Sequence, residues 1–208
     1  MRRLLPAAFV TSGRRSIRLP PARHIGGRAV DIFLVLTILG EDRPGLVESV
    51  AHVIATHGGN WLESRMARLA GKFAGILRAS VPSDNTAALT AALQGLEAQG
   101  LRLLIDWSPS DEPAQTYRQL TLDLMGNDHL GIIRDVSHAL AQRGINIDTL
   151  DTAYLSAPMT GEMLFKATAQ LRVPLQVMIA DLQESLERLA HDLMVDITLA
   201  DMSPKVLE

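Results

Sequence analysis

The chain alternates between two hydrophobic periods, and the places where it switches outline its elements. Ile32–Leu39 is a predominantly apolar run short enough for a strand, and Gly40–Pro44 reads as a turn. Leu46, Val47, Val50, Val53 and Ile54 then recur at helical spacing until Gly58-Gly59 stops the helix. Asn60–Leu69 and Phe73–Val81 flank a break at Gly71 and predict a hairpin. Asn85–Gln99 is Ala/Leu-rich and helical, ending at Gly100, and Leu101, Leu103 and Ile105 alternate with polar residues as a last strand. The same order returns further along. Leu120, Leu122 and Leu124 alternate with Thr121 and Asp123, Ile132–Arg143 reads as a helix stopped by Gly144, and Asn146–Leu155 and Glu162–Leu171 read as strands. Leu175–Ala190 is an amphipathic helix and Val195–Leu199 a strand.

The repetition extends to residue identity. A shift of 86 positions lays Leu36–Glu63 on Leu122–Thr149 without a gap, with nine identities in 28 positions. These include Gly40/Gly126, Asp42/Asp128, Gly45/Gly131, His52/His138, Gly58/Gly144 and Asn60/Asn146. The period is too long for a solenoid repeat, so each copy should be a small domain. Each copy reads β-α-β-β-α-β. Packing two helices on one face of an antiparallel sheet, with right-handed crossovers, gives an α+β fold of two ferredoxin-like domains. The expected boundaries are an extension over 1–30, a first domain over 31–107, a linker over 108–115, a second domain over 116–202 and a tail over 203–208. The other face of each sheet carries no helix. Where it is apolar, as at Phe33 and Val35, it calls for a partner surface, and a homodimer is expected.

The two turns carry the candidate chemistry. A strand that turns through glycine into a helix presents unpaired backbone N–H groups at the positive end of the helix dipole, a ready place for a small carboxylate. Gly45 and Gly131 leave no Cβ in the way of a ligand, and Pro44 suits the first helical turn. Asp42 or Asp128 offers a partner for an ammonium group. Asn60 and Asn146, expected at the same end of the sheet as the turn, offer amides that both donate and accept. Each of these residues also has a purely structural explanation: Asp as an N-cap, glycine for the turn, and Asn for a left-handed helix end. Trp61 follows the first Asn and Ile147 the second, so one copy is open to having lost its ligand.

The strings Gly40–Leu46 and Gly58–Asn60, with their counterparts Gly126–Ile132 and Gly144–Asn146, resemble the ACT domain, a small ligand-sensing βαββαβ module. Glu63–Ala67, Ala157–Gly161 and Leu164-Phe165, in a bare tandem arrangement, are similar to the glycine cleavage system transcriptional repressor family. The resemblance implies an accessory regulator that senses glycine or a serine-like small amino acid and acts through a separate DNA-binding regulator. It further implies that Asp42, Pro44, Gly45, Leu46, Asn60, Asp128, Leu130, Gly131, Ile132 and Asn146 line pockets combining a turn from one copy with neighbours from another. Leu130 stands where a second Pro would be expected, and the basic extension also departs from the family.

Composition narrows the alternatives. The 208 residues contain no cysteine, which removes disulfides, thiolate metal sites and cysteine nucleophiles and fits a cytoplasmic protein. No apolar run is long enough for a membrane span. The formal charge is −3, but residues 1–30 hold seven arginines and no acid. The remainder therefore carries 13 basic against 23 acidic side chains, a poor surface for direct nucleic-acid binding. The Arg-rich, Pro-broken extension reads as disordered, ahead of an organelle transit peptide or an arm for anionic partners. The six histidines lack metal-ligand spacing, and no phosphate-loop, dinucleotide or nucleophile-elbow string occurs. No catalytic residue, metal or cofactor is therefore expected. Two rival roles remain: an ACT-type subunit docking on an amino-acid or one-carbon enzyme, and a ligand-free dimerisation scaffold.

Overall fold

The computed structural model describes residues 9–12, 15–20, 24–25, 28–108, 117–156 and 163–201. The predicted linker lies outside them except for Ser108, as do Ala157–Gly161 and the tail. The chain divides into two compact units, Met1–Pro113 and Ala114–Glu208. Among the described residues of the extension, β1 (Phe9–Ser12) pairs with β2 (Arg15–Arg18) and β3 (His24–Ile25) with β4 (Arg28–Ala29). The sequence predicts disorder here. Strand pairing draws on backbone groups alone, so the Arg-rich composition gives no sign of it. Leu19 is buried, and the His24 ring nitrogen Nε2 lies 3.0 Å from a carboxylate oxygen of Asp84.

In the first unit, β5 (Asp31–Glu41) leads into α1 (Leu46–Thr56), and β6 (Asn60–Leu69) and β7 (Lys72–Pro82) follow. A 3-10 turn at Ser83–Asn85 starts α2 (Thr86–Gly95), a second one at Leu96–Gln99 extends it, and β8 (Arg102–Ser108) closes the unit. The sheet order is β6-β7-β5-β8, every pair antiparallel. Alternation along β5 sends Ile32, Leu34, Leu36 and Ile38 inward. Leu34, Leu36 and Ile38 join Val50 and Ile54 of α1 and Leu89 and Leu93 of α2 in one core.

The second unit repeats the order as β9 (Tyr117–Asn127), α3 (Ile132–Ala141), β10 (Asn146–Ser156), β11 (Met163–Pro174), α4 (Ile179–Leu193) and β12 (Val195–Asp201). Its sheet order is β10-β11-β9-β12. Leu120, Leu122 and Leu124 pack with Val136, Leu140, Leu182 and Leu186. Both units are α+β with the ferredoxin-like βαββαβ topology. The helix α4 begins four residues later than Leu175, because the Val177 N–H bonds the Pro174 carbonyl in a turn and Met178 is extended before the helix starts.

The duplication reaches fine backbone detail. A register break falls between Trp61 and Glu63 in β6 and between Ile147 and Thr149 in β10, 86 residues apart. Gly58 and Gly144 both take positive φ after their helices, each donating its N–H back to the helix (to Ala55 and Ala141). Gly40 and Gly126 both pair with a phenylalanine of the neighbouring strand, Phe73 and Phe165.

Candidate functional site

The turn after the first strand is held at three points in each copy. In the first, the Asp42 N–H donates to the Gly71 carbonyl at 2.9 Å. Arg68 Nε donates to the Asp42 carboxylate at 2.6 Å, and Arg43 donates to the Gln99 carbonyl at 2.7 Å. In the second, the Asp128 N–H donates to the Met163 carbonyl, the Tyr154 hydroxyl donates to the Asp128 carboxylate, and His129 Nε2 bonds the Leu193 carbonyl at 2.9 Å. Arg68 and Tyr154, like Arg43 and His129, are related by the 86-residue shift. The same tether is thus built from different side chains. Sequence reading missed these four, because identity matching passes over positions that keep geometry and change chemistry. Asp42 and Asp128 are engaged by Arg68 and Tyr154 rather than acting as N-caps.

The N-caps are glycines. Gly45 (φ 88°) and Gly131 (φ 100°) both sit in the left-handed region, and neither helix start has a side-chain cap. Pro44 therefore precedes the cap instead of occupying the first helical turn. The first helical bonds run from Ser49 N–H to Gly45 and from Asp135 N–H to Gly131. The N–H groups of residues 46–48 and 132–134 are left without intrahelical partners. Leu46 and Ile132 bury their side chains in the two cores, so each can offer a ligand only its backbone. Leu130 is fully exposed.

The two helix starts differ in charge. Glu48 reaches back toward Gly45, its carboxylate 4.0 Å from where a Cβ would stand. At the matching position Arg134 folds over Gly131, with guanidinium nitrogen Nη2 only 2.9 Å from the equivalent point. It pairs with both oxygens of Asp135 at 2.8 and 3.1 Å. That hydrogen-bonded pair lowers the Asp135 pKa and raises that of Arg134. The second turn is covered by the protein's own side chain and the first is open.

The asparagines lie elsewhere. Asn60 pairs with Ser80, which pairs with Phe33, whereas the turn follows Gly40, seven residues further along β5. At 3.4 Å per residue that is roughly 24 Å. Asn146 is displaced equally, opposite Arg172 and hence Gln119, against Gly126 at the turn. The expectation that turn and asparagine share one end of the sheet is therefore wrong. An 11-residue helix runs back along the sheet and delivers the chain to the opposite end. Asn146 Nδ2 donates to Asp148 at 2.9 Å, which also accepts from Arg172 Nε at 2.6 Å. Among the described residues the Asn60 amide has no hydrogen-bond partner. Trp61 packs on the first core, with its indole N–H donating to Ser64 Oγ at 3.3 Å.

The hydrogen bond to Asp128 holds the proton on Tyr154, so its phenol pKa is raised, with smaller contributions from desolvation and the carboxylate charge. A spectrophotometric titration of tyrosinate absorbance should show a step above the usual value near 10 that Tyr154→Phe removes. Tyr117 is the only other tyrosine. Because the folded-state pKa is raised, this bond's contribution is present below the unfolded value and is lost as pH climbs through the folded one. A Tyr154 step at or below the ordinary value contradicts the bond.

Among the described residues, no helix is long and apolar enough to cross a membrane, and no group of three or more His, Asp or Glu could hold a metal ion.

Residues 32–107 match the family model of the ACT domain. The first repeat is thus matched by the ACT domain model, and the chain has a tandem ACT-like fold. It is similar to a protein of unknown function from Galdieria sulphuraria, at 27% identity and a TM-score of 0.75, over 84% of this chain and 100% of that one. It is also similar to a protein provisionally assigned as a glycine cleavage system transcriptional repressor, at 25% identity and a TM-score of 0.62, over 83% of this chain and 98% of the other. No curated protein matches the sequence.

Proposed function

We propose that this chain is a non-enzymatic cytoplasmic sensor of a small amino acid, glycine or a serine-sized relative. Bound ligand changes its fit to a separate DNA-binding regulator of the glycine cleavage system. The observation that carries the reading is the likeness to the provisionally assigned repressor over 83% of this chain and 98% of that one. The first repeat, whose sequence matches the ACT model, supports it with the open start of α1. The free amides of residues 46–48 take the ligand carboxylate, and the Glu48 carboxylate beside Gly45 faces the ammonium group. A site this small favours ligands with little side chain. The second repeat, with Arg134 over Gly131, serves structure. Ligand shifts the regulator-binding surface only by its differential affinity for two states, so modest binding suffices.

A thermal-shift screen of the full chain over the common amino acids tests this. Glycine or a close relative should raise the midpoint, reaching about 2.7 kcal/mol of stabilisation at a hundredfold excess over Kd. No response to any amino acid would leave the scaffold role. A pull-down in which only a metabolic enzyme is recovered would defeat the transcriptional part.

A further inference from the structure

The helix-free faces of the two sheets differ. On the first, β5 presents Phe33, Val35, Thr37 and Leu39, β7 presents Ile76 and Arg78, and β8 presents Leu104 and Asp106. Leu39, Ile76 and Leu104 are 41%, 48% and 49% exposed. The second sheet shows mainly polar residues at the corresponding places, such as Thr121, Asp123, Thr168 and Gln170, and Thr168 Oγ1 donates to Asp123 at 2.6 Å. A polar face satisfies itself in water. An apolar strip across central strands costs solubility unless something covers it.

The pairing registers fix the pattern on the first face. One row reads Glu63, Arg78, Val35, Asp106 from β6 to β8. The next reads Arg65, Ile76, Thr37, Leu104, and the third Ala67, Ala74, Leu39, Arg102. Arg78 is already used within the face, its guanidinium 4.3 Å from the centre of the Phe33 ring and 3.6 Å from Glu63.

We propose that this face packs on the same face of a second copy of the chain, about a two-fold axis perpendicular to the strands through the middle row. In that register Ile76 meets Ile76 and Leu104 meets Leu104. Val35 covers Leu39, and bulky Arg78 lies over Ala74. Asp106 of each copy faces Arg102 of the other. Charge complementarity selects this arrangement. Turning the axis along the strands would oppose Glu63 and Asp106, two like charges. Both copies use one patch, as an isologous dimer requires, and aligned sheets pack with interdigitating side chains. Arg65 meets its counterpart only at the edge, where its long side chain reaches solvent. Four strands at about 4.8 Å and three rows at about 6.8 Å span roughly 400 Å² in projection. This is smaller than the ~800 Å² per partner of a standard interface, so association is weak and concentration dependent.

Sedimentation equilibrium on the full chain tests the proposal. The mass should rise from 22.6 kDa toward twice that value with concentration. Ile76→Glu should hold it at the monomer value. Asp106→Arg should weaken association by roughly tenfold or more, since it opposes like charges, and Asp106→Arg with Arg102→Asp should restore it. All three side chains are exposed, so circular dichroism and melting should be unchanged. A wild-type chain that remains monomeric, which is also the result if another protein covers the face, overturns the proposal. So does association that survives Ile76→Glu, or a double swap that fails to recover.

Discussion

Gly126→Ala should lower the stability of the second unit by about 2 kcal/mol, while Gly40→Ala at the matching position should be nearly neutral. Both glycines stand where the last strand of the repeat crosses the end of the first. A Cβ on Gly126 would lie 2.6 Å from Val195 Cγ1 and 2.8 Å from Val195 Cα, so a backbone must move. On Gly40 the nearest atom, at 2.9 Å, is Leu101 Cδ2, the tip of a flexible side chain, and the Leu101 Cα is 3.9 Å away. There, rotation of the leucine offsets the contact, and alanine also removes the excess chain entropy of glycine. The chain supplies its own reporters, because Trp61 and Trp107 fall in the first unit and Tyr117 and Tyr154 in the second. Gly126→Ala should lower the tyrosine-detected melting midpoint by about 4–8 °C per kcal/mol. Equal losses at the two positions would contradict the difference in packing.

That asymmetry between matched positions also marks how far the sequence could be read. The βαββαβ order, the duplication and the inward leucines follow from period and identity alone, because burial imposes them at every turn or every second residue. Gly45, Gly58 and their partners were visible because a positive φ admits little else there. The tether of the turn was not. Asp42 holds to Arg68 and Asp128 to Tyr154, and neither partner resembles the other. The distance between Asn60 and the turn was hidden for a different reason. It depends on the direction in which α1 crosses the sheet, which no single residue announces. The start of α4 was misplaced because Leu175 and Val177 continue the apolar period while Pro174 turns the chain. The contrast between the two open sheet faces emerges only once register assigns Ile76, Leu104 and Thr168 to rows.

These corrections change what a ligand-site experiment should target. With Asn60 roughly 24 Å from the turn of its own repeat, a glycine-sized ligand at α1 cannot touch both, and the glycine N-cap becomes the discriminating position. Gly45→Ala should weaken amino-acid binding by about 10- to 100-fold, the scale of a lost charge-assisted hydrogen bond. Gly131→Ala should leave binding unchanged. Both substitutions force alanine into the left-handed region at about 1–2 kcal/mol, so they are matched in backbone strain and differ in what the methyl meets. At Gly45 the methyl enters open space beside the first turn of α1, with Glu48 Oε2 the nearest atom at 4.0 Å. At Gly131 it displaces Arg134, which already occupies that position. Calorimetry of both variants, well below their melting points, separates the effects. Loss of affinity confined to Gly131→Ala would move the site to the second repeat, where Arg134 would have to leave Asp135 to receive the carboxylate. Unchanged affinity in both would remove the helix starts from ligand recognition altogether.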